Sequence, residues 1–405
     1  MQGSYNLVVL PILLAIVFQS VSTGGLRDGL LALNRGDLSA ALSSLEAVSR
    51  EDPQNPLAWA ALAQVYLKNN QREAALNAAR KADQFGPDNP TIQHALAMFY
   101  SGEGEPDKAA LFESRFAKSP MADKEAFLRA ANLYLASGNP RSAIDTARAG
   151  ITQTDSAALH HVSGQAYMAM KQPGEAITEL QAAARMAPSE EEFSFDLAQA
   201  LLRSERFAEA AANLERSVKA FPQSPQMRLT LGVAYYGLRR FPEAIKMFLE
   251  TIDMAPEVEQ PYIFLGRILD QAADSLPVIQ TRFESFRRRH PENYWGSFLV
   301  AKALAAGGAA SDRIEPLLRE SIAKNGALWE THSELSDVLA RKHDYAAAAA
   351  ELEQSAKLNA SEPSIAFRLA RLYDRLHEPE KAAAQRELHQ RLLAKPKAGM
   401  GTEKP

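Results

Sequence analysis

Residues 56–89 read PLAWAALAQVYLKNNQREAALNAARKADQFGPDN, and this stretch decides the fold. Trp59, Leu62, Ala63 and Tyr66 recur at i, i+3, i+4 and i+7, which puts them on one face of a helix. Lys68-Asn69-Asn70-Gln71 is a polar turn. Ala74, Ala75, Ala78, Ala79 and Ala82 then line one face of a second helix. That helix must stop before Gly86-Pro87, because proline has no N–H with which to continue the ladder. Asn55-Pro56 supplies an N-cap followed by proline at the first helical position, where the missing N–H costs nothing. Asn89-Pro90 and Ser224-Pro225 repeat the device. Small residues at Ala63 and Ala75 let the two helix backbones approach, while Trp59 and Tyr66 fill the space against the next pair. Neither helix can bury its apolar face alone, so such units must stack.

The same unit recurs along the chain. Gly29, Ala63, Ala97, Ala131, Gly164, Ala198, Gly232, Gly266, Ala301, Ser336 and Ala370 follow one another at spacings of 33–35 residues. A second small residue comes about twelve positions after most of them, at Ala41, Ala75, Ala109, Ala143, Ala176, Ala210, Ala244, Ala348 and Ala382. Prolines at 53, 87, 188, 222 and 256 punctuate the same register, with those at 120 and 291 displaced by one.

These residues resemble the tetratricopeptide repeat (TPR) family, whose pattern is W-x2-L-G-x2-Y followed by A-x3-F, a further A, and P. The best matches are Trp59-Leu62-Ala63-Tyr66 with Ala75 and Pro87, and Leu231-Gly232-Tyr235 with Ala244, Phe248 and Pro256. Eleven units are read, starting near Thr23, Pro56, Pro90, Lys124, Ala157, Glu191, Pro225, Glu259, Tyr294, Trp329 and Pro363. The resemblance implies an all-α, right-handed superhelical solenoid over residues 23–395, with the first helix of each pair lining a concave groove.

Two units depart from the pattern. In the eighth, Asp274-Ser275-Leu276-Pro277 interrupts the turn, and Val278 stands in the register of the close-contact alanine. In the ninth, Gly307-Gly308-Ala309-Ala310 is expected to loosen the turn, and Ile314 replaces the alanine. A larger residue at the contact pushes helices apart, so a hinge or a local change of pitch is one reading and a drifted but packed repeat the other. The last helix, over Glu380 to Leu393, places Arg386 and His389 where earlier units carry apolar residues, as suits the end of an array. Residues 396–405 read as a disordered tail.

Composition excludes much of the usual chemistry. The 405 residues carry 45 Lys plus Arg against 49 Asp plus Glu, a formal charge of −4, so no basic field points to nucleic acid. There is no cysteine, hence no disulfide, thiolate nucleophile or Cys-ligated metal. The eight histidines include no pair at i, i+4 with an intervening glutamate, and no metal site is read from them. No G-x-S-x-G elbow or phosphate-cradling G-x4-G-K-[ST] is present. Arg287-Arg288-Arg289 ends a helix, where the macrodipole favours cations. About a dozen residues follow the eleventh repeat, too few for a catalytic domain, so none is expected. Neither a catalytic residue nor a cofactor is expected.

What remains is the groove. In the TPR family the second, fifth, ninth and thirteenth positions of each first helix face it. Carried over, the resemblance implies a protein-binding set of Gln64, His94, Met98, Asn132, His161, Gln165, Phe195, Gln199, Arg267, Phe298, Lys302, Asp337, Phe367, Arg371 and Arg375. The early and middle units offer amides and apolar groups, and the last four offer charge. Amides suit an extended backbone, because they donate and accept. A TPR subclass grips a partner's C-terminal carboxylate with a Lys and an Asn one turn apart. Asn132 holds the Asn position, but Leu128 stands where the Lys belongs, so that mode is disfavoured.

Leu7 to Phe18 form an uncharged apolar run followed by small residues, which reads as a signal peptide over residues 1–22, cleaved near Ser22-Thr23. The run is shorter than a spanning helix needs, which favours a signal peptide, but MQGSYN lacks the Lys and Arg of such a peptide, which leaves an uncleaved anchor as the alternative. The expected protein is a secreted or periplasmic adapter for proteins or peptides. The alternative is an anchored accessory subunit of envelope polysaccharide synthesis, export or secretion. The polar last helix argues against end-to-end pairing, so a monomer is expected.

Overall fold

The computed structural model describes residues 24–394, and the expected signal segment and C-terminal tail lie outside them. Twenty-two α-helices follow one another in that span: α1 (Gly24–Arg35), α2 (Leu38–Glu51), α3 (Pro56–Lys68), α4 (Arg72–Phe85), α5 (Pro90–Gly102), α6 (Pro106–Ala117), α7 (Ala126–Ala136), α8 (Pro140–Gln153), α9 (Ala157–Ala169), α10 (Pro173–Met186), α11 (Glu191–Arg203), α12 (Phe207–Ala220), α13 (Pro225–Gly237), α14 (Phe241–Met254), α15 (Gln260–Arg267), α16 (Leu276–Arg289), α17 (Tyr294–Ala306), α18 (Ser311–Lys324), α19 (Trp329–Arg341), α20 (Tyr345–Leu358), α21 (Pro363–Arg375) and α22 (Pro379–Ala394). No strand occurs among the described residues. The chain forms two compact units, one up to Arg206 and one from Phe207 onward.

In the first unit α1 packs on α2, α3 on α4, α5 on α6, α7 on α8 and α9 on α10. The first helices also pack on one another in succession, α1 on α3, α3 on α5, α7 on α9 and α9 on α11, whereas second helices approach each other less closely. First helices therefore share one face of this unit. The expected caps are present: the side chains of Asn55 and Asn89 accept from Ala58 N and Thr91 N. Ala63, Ala75, Ala79, Ala131, Ala143 and Ala147 are fully buried at the helix–helix seams.

Turns between the two helices of a pair repeat one backbone device. Gly36, Asn70, Gly104, Gly138, Lys171, Glu205, Arg239, Gly308, His343 and His377 all have φ between 55° and 78°. Each closes its first helix in a left-handed residue. The ninth turn thus obeys the rule through Gly308 and is not loosened as its glycines suggest; Ile314 is buried at the seam.

In the second unit α13 packs on α14, α17 on α18, α19 on α20 and α21 on α22. The eighth repeat is different. α15 has only 8 residues and is followed by two 3-10 turns, Leu269–Gln271 and Ala273–Ser275. No left-handed residue is found in this turn. α15 packs on α14 and α17, and α16 packs on α17. Val278, which the register puts at the close contact, is 47% exposed; Ile279 is buried in its place. The interruption has shifted the second helix by one residue. A Cβ on Gly266 would lie 2.4 Å from Leu299 Cδ2, so this small residue admits the next repeat.

α22 buries only Ala382, as a terminal helix should. Arg386 binds Asp374, and His389 Nδ1 donates to Pro363 O at 2.8 Å. Ser321 and Ser355 donate to Tyr294 O and Trp329 O from the same register, both at 3.0 Å. His389 thus reuses a tie between the second helix and the start of the first.

Candidate protein-binding face

In the first unit the residues of the first-helix face divide by burial. Asn132 is exposed; Gln64, Met98, Gln165, Phe195 and Gln199 are half-buried. Gln64 Nε2 donates to Ala95 O at 3.3 Å, so this amide already spans two neighbouring first helices. His94 is buried, and this corrects its placement in an open groove. Its Nδ1 lies 3.0 Å from Glu113 Oε2 and its ring 4.5 Å from that of Phe116. Glu113 also accepts from Arg129 at 2.7 Å, and Arg129 makes a two-pronged contact with Asp123 at 2.9 Å. Burial tends to raise the Asp123 pKa, but the Arg129 guanidinium holds it below its ordinary value. This network ties α5, α6 and α7 together and offers no free group.

His161, also buried, points differently. Its Nε2 sits 2.9 Å from Asp196 Oδ2 on α11, and Gln165 Nε2 donates to the same oxygen at 2.8 Å. Glu192 lies one turn before Asp196. One ligating atom from each of His161, Glu192 and Asp196 lies within 4.8 Å of the other two. Burial pushes the Asp196 carboxyl up, but the hydrogen bonds from His161 and Gln165 outweigh it and leave the pKa lowered. Residue reading named His161 and Gln165 but missed Asp196 and Glu192. The available signal was their position, one repeat further on the next first helix.

In the second unit, Phe298 is 3% exposed, which corrects its placement as a groove anchor; Lys302 Nζ lies 5.8 Å from its ring centroid. Lys302 also approaches Glu334 at 3.8 Å. Burial raises the Glu334 pKa, with Lys302 opposing it. Asp337 accepts from Arg368 at 2.6 Å, and Arg368 also holds the Ser333 hydroxyl and carbonyl. The Asp337 charge is therefore largely answered within the unit.

Three residues of α21 are presented outward. Phe367 is 48% exposed, and Arg371 and Arg375 follow it at i+4 and i+8 on the same helix face. The Arg371 guanidinium lies 5.9 Å from the Phe367 ring and that of Arg375 5.9 Å from the Tyr345 ring. Neither makes an ion pair among the described residues. Arg267, at the end of α15, is likewise exposed, 6.0 Å from the Phe264 ring. By contrast Arg287 and Arg289 of the three-arginine run are engaged by Glu320 and by Glu257 with Tyr262. An exposed aromatic flanked by unanswered cations can take an acidic or C-terminal carboxylate-bearing segment.

Tetratricopeptide repeat models match residues 128–191, 161–225 and 195–259, and a second such model matches 32–99. Among solved structures, the chain is similar to one described as Naa15/Naa10 bound to HypK-THB, with 14% identity, 90% of this chain and 67% of that chain covered, and a TM-score of 0.49. It is similar to yeast Tom70 at 14% identity, 91% and 92% coverage and a TM-score of 0.42. It is also similar to the Cut9–Hcn1 hetero-tetramer of the APC/C at 12% identity, 94% and 96% coverage and a TM-score of 0.44. With its recurrent small residues buried at the seams and its left-handed turns in register, the chain belongs to the tetratricopeptide repeat family.

Proposed function

We propose that the protein is a non-catalytic scaffold that binds partner proteins or peptides on faces built from its first helices. The observation that carries this reading is the outward stripe of Phe367, Arg371 and Arg375. It combines a large exposed aromatic with two guanidiniums that no carboxylate of the described residues answers. In the second unit this stripe is the preferred contact, with Arg267 as a further cation. In the first unit the exposed or half-buried Asn132, Gln199 and Met98 are suited to a peptide backbone and its apolar side chains. Binding of this kind raises the local concentration of partners and requires no chemistry from the scaffold.

The apolar run Leu7–Phe18, with its small-residue exit, supports delivery to the secretory or periplasmic compartment. Its lack of a basic N-terminal flank favours a second reading, in which the segment is retained as an anchor. The protein then serves as an accessory subunit of an envelope polysaccharide synthesis, export or secretion complex. No helix among the described residues is long and apolar enough to cross a membrane.

In-cell crosslinking of the tagged full-length chain, followed by mass spectrometry of what is attached, tests the scaffold reading. Specific partners lost on Arg371→Glu with Arg375→Glu, in a variant with an unchanged circular-dichroism spectrum and melting curve, are expected. Partners retained in full by that variant would show that the stripe is not the contact. N-terminal sequencing of the mature chain separates the compartments: a start near Thr23 supports release, and Met1 retained supports the anchored subunit.

A further inference from the structure

We propose that His161, Asp196 and Glu192 form a divalent transition-metal site, suited to Zn²⁺, on the first-helix face of the first unit. The inference goes beyond partner binding and does not depend on it. Convergence is the first argument. Among the described residues these three form the one group of its kind, with one donor atom from each within 4.8 Å of the other two. The other paired histidines spend their nitrogens differently. His160 meets Glu179 through Nδ1 and Asp155 through Nε2, on opposite sides of the ring. His332 meets Glu351 and the Gly326 carbonyl in the same divided way. The carboxylate of His94 is already answered by Arg129. At His161 alone two carboxylates gather about one imidazole edge.

Preorganisation is the second. The imidazole is buried and packs at 4.5 Å on the Phe193 ring, which limits its rotation. Gln165 Nε2 donates to Asp196 Oδ2 at 2.8 Å and lies 3.4 Å from His161 Nε2, so one amide holds both donor atoms in place. Donors bound to one Zn²⁺ at about 2.0–2.2 Å lie roughly 3–3.6 Å apart. His161 Nε2 and Asp196 Oδ2, at 2.9 Å, are already close to that separation. Glu192 is exposed, and rotation of its side chain closes the remaining gap. One nitrogen and two carboxylates are a donor set for zinc or a related borderline cation rather than for calcium. Three protein ligands leave a coordination position on the exposed side for water or for a side chain of a bound partner.

The test uses the full chain freed of any histidine tag, titrated with Co²⁺ and read by visible absorption, with Zn²⁺ then added as competitor. One saturable Co²⁺ per chain, displaced by Zn²⁺, is expected. Glu192→Gln and Asp196→Asn should each weaken it at least ~10-fold, since even outer-shell changes cost ~10–100-fold. His160→Gln should leave the affinity unchanged. No saturable band overturns the proposal, as does a band with the same affinity in both carboxylate variants. Should Asp196→Asn unfold the chain, Glu192→Gln decides alone, because that side chain is exposed and its loss removes no packing.

Discussion

A Cβ built on Gly232 would lie 2.6 Å from Cε1 of Phe248, closer than real carbon contacts allow. The same relation joins Gly164 to Leu180 at 2.6 Å and Gly29 to Leu45 at 2.7 Å. Where the second helix carries only alanine at that register, as at Ala79 and Ala147, the first helix carries Ala63 and Ala131. In these five repeats the seam conserves volume by trading a methyl on one helix for a large side chain on the other, whereas Ala198 with Leu214 and Ser336 with Leu352 do not follow the trade.

Gly232→Ala should therefore destabilise the protein by about 1–3 kcal/mol through overpacking. Combined with Phe248→Ala, it should cost less than the sum of the single changes, because the added methyl then meets space. A double-mutant cycle from urea unfolding measures the coupling. Strict additivity would show that the two side chains do not share the seam.

The left-handed turn residues make an opposite prediction. Arg239 has φ 59° without being glycine, whereas Gly138 holds the same turn position at φ 77°. Arg239→Gly should raise stability by about 0.5–1 kcal/mol, the relief of backbone strain less the extra chain entropy. Gly138→Ala should lower it by about 1–2 kcal/mol. Nothing lies within 4 Å of a Cβ at Gly138, so backbone conformation alone sets that cost. Chemical denaturation of the two variants checks both signs.

Buried charge makes a third. The side chain of Glu113 is 3% exposed and is held by His94 and Arg129. Arg129→Met should cost about 3–5 kcal/mol, because it strands a buried carboxylate. Adding Glu113→Leu should recover much of the loss, and thermal unfolding of the single and double variants reads the difference.

The tyrosine ties give the pH dependence. Tyr66 donates to Glu46, Tyr235 to Glu215 and Tyr373 to Glu353, each across neighbouring repeats at 2.7–2.9 Å. Burial first, and then the glutamate, pushes the Tyr66 and Tyr235 phenols up to about 12, with Tyr373 raised as well. Folding thus favours the protonated phenol. The stability it contributes is complete below the ordinary value of 10.0 and is lost as pH rises through about 12. Melting temperature should fall across that window. Tyrosinate absorbance should show Glu46→Gln lowering the Tyr66 pKa without returning it to the ordinary value, since burial remains.

The period, the caps and the seam alanines were legible in the residues because each is a local consequence of helix geometry. Ala63 and Ala75 must be small wherever two helices touch, and Asn55-Pro56 starts a helix whatever surrounds it. The face of each side chain was only partly legible. His94 and His161 hold the same repeat position, yet one lies in a buried ion network and the other meets carboxylates from the next first helix. That difference depends on Glu113 and Asp196, which belong to other helices and enter only when the repeats are stacked. The shift from Val278 to Ile279 has the same origin: a helix shortened to 8 residues resets the register of the next one, and packing selects which side chain is buried. Sequence alone determined that this chain must stack helix pairs, because neither helix can bury its apolar face by itself. Tertiary structure decided which polar groups are spent inside the stack and which, like Arg371 and Arg375 beside the exposed Phe367, remain outside, because burial and pairing are settled between repeats and not within one.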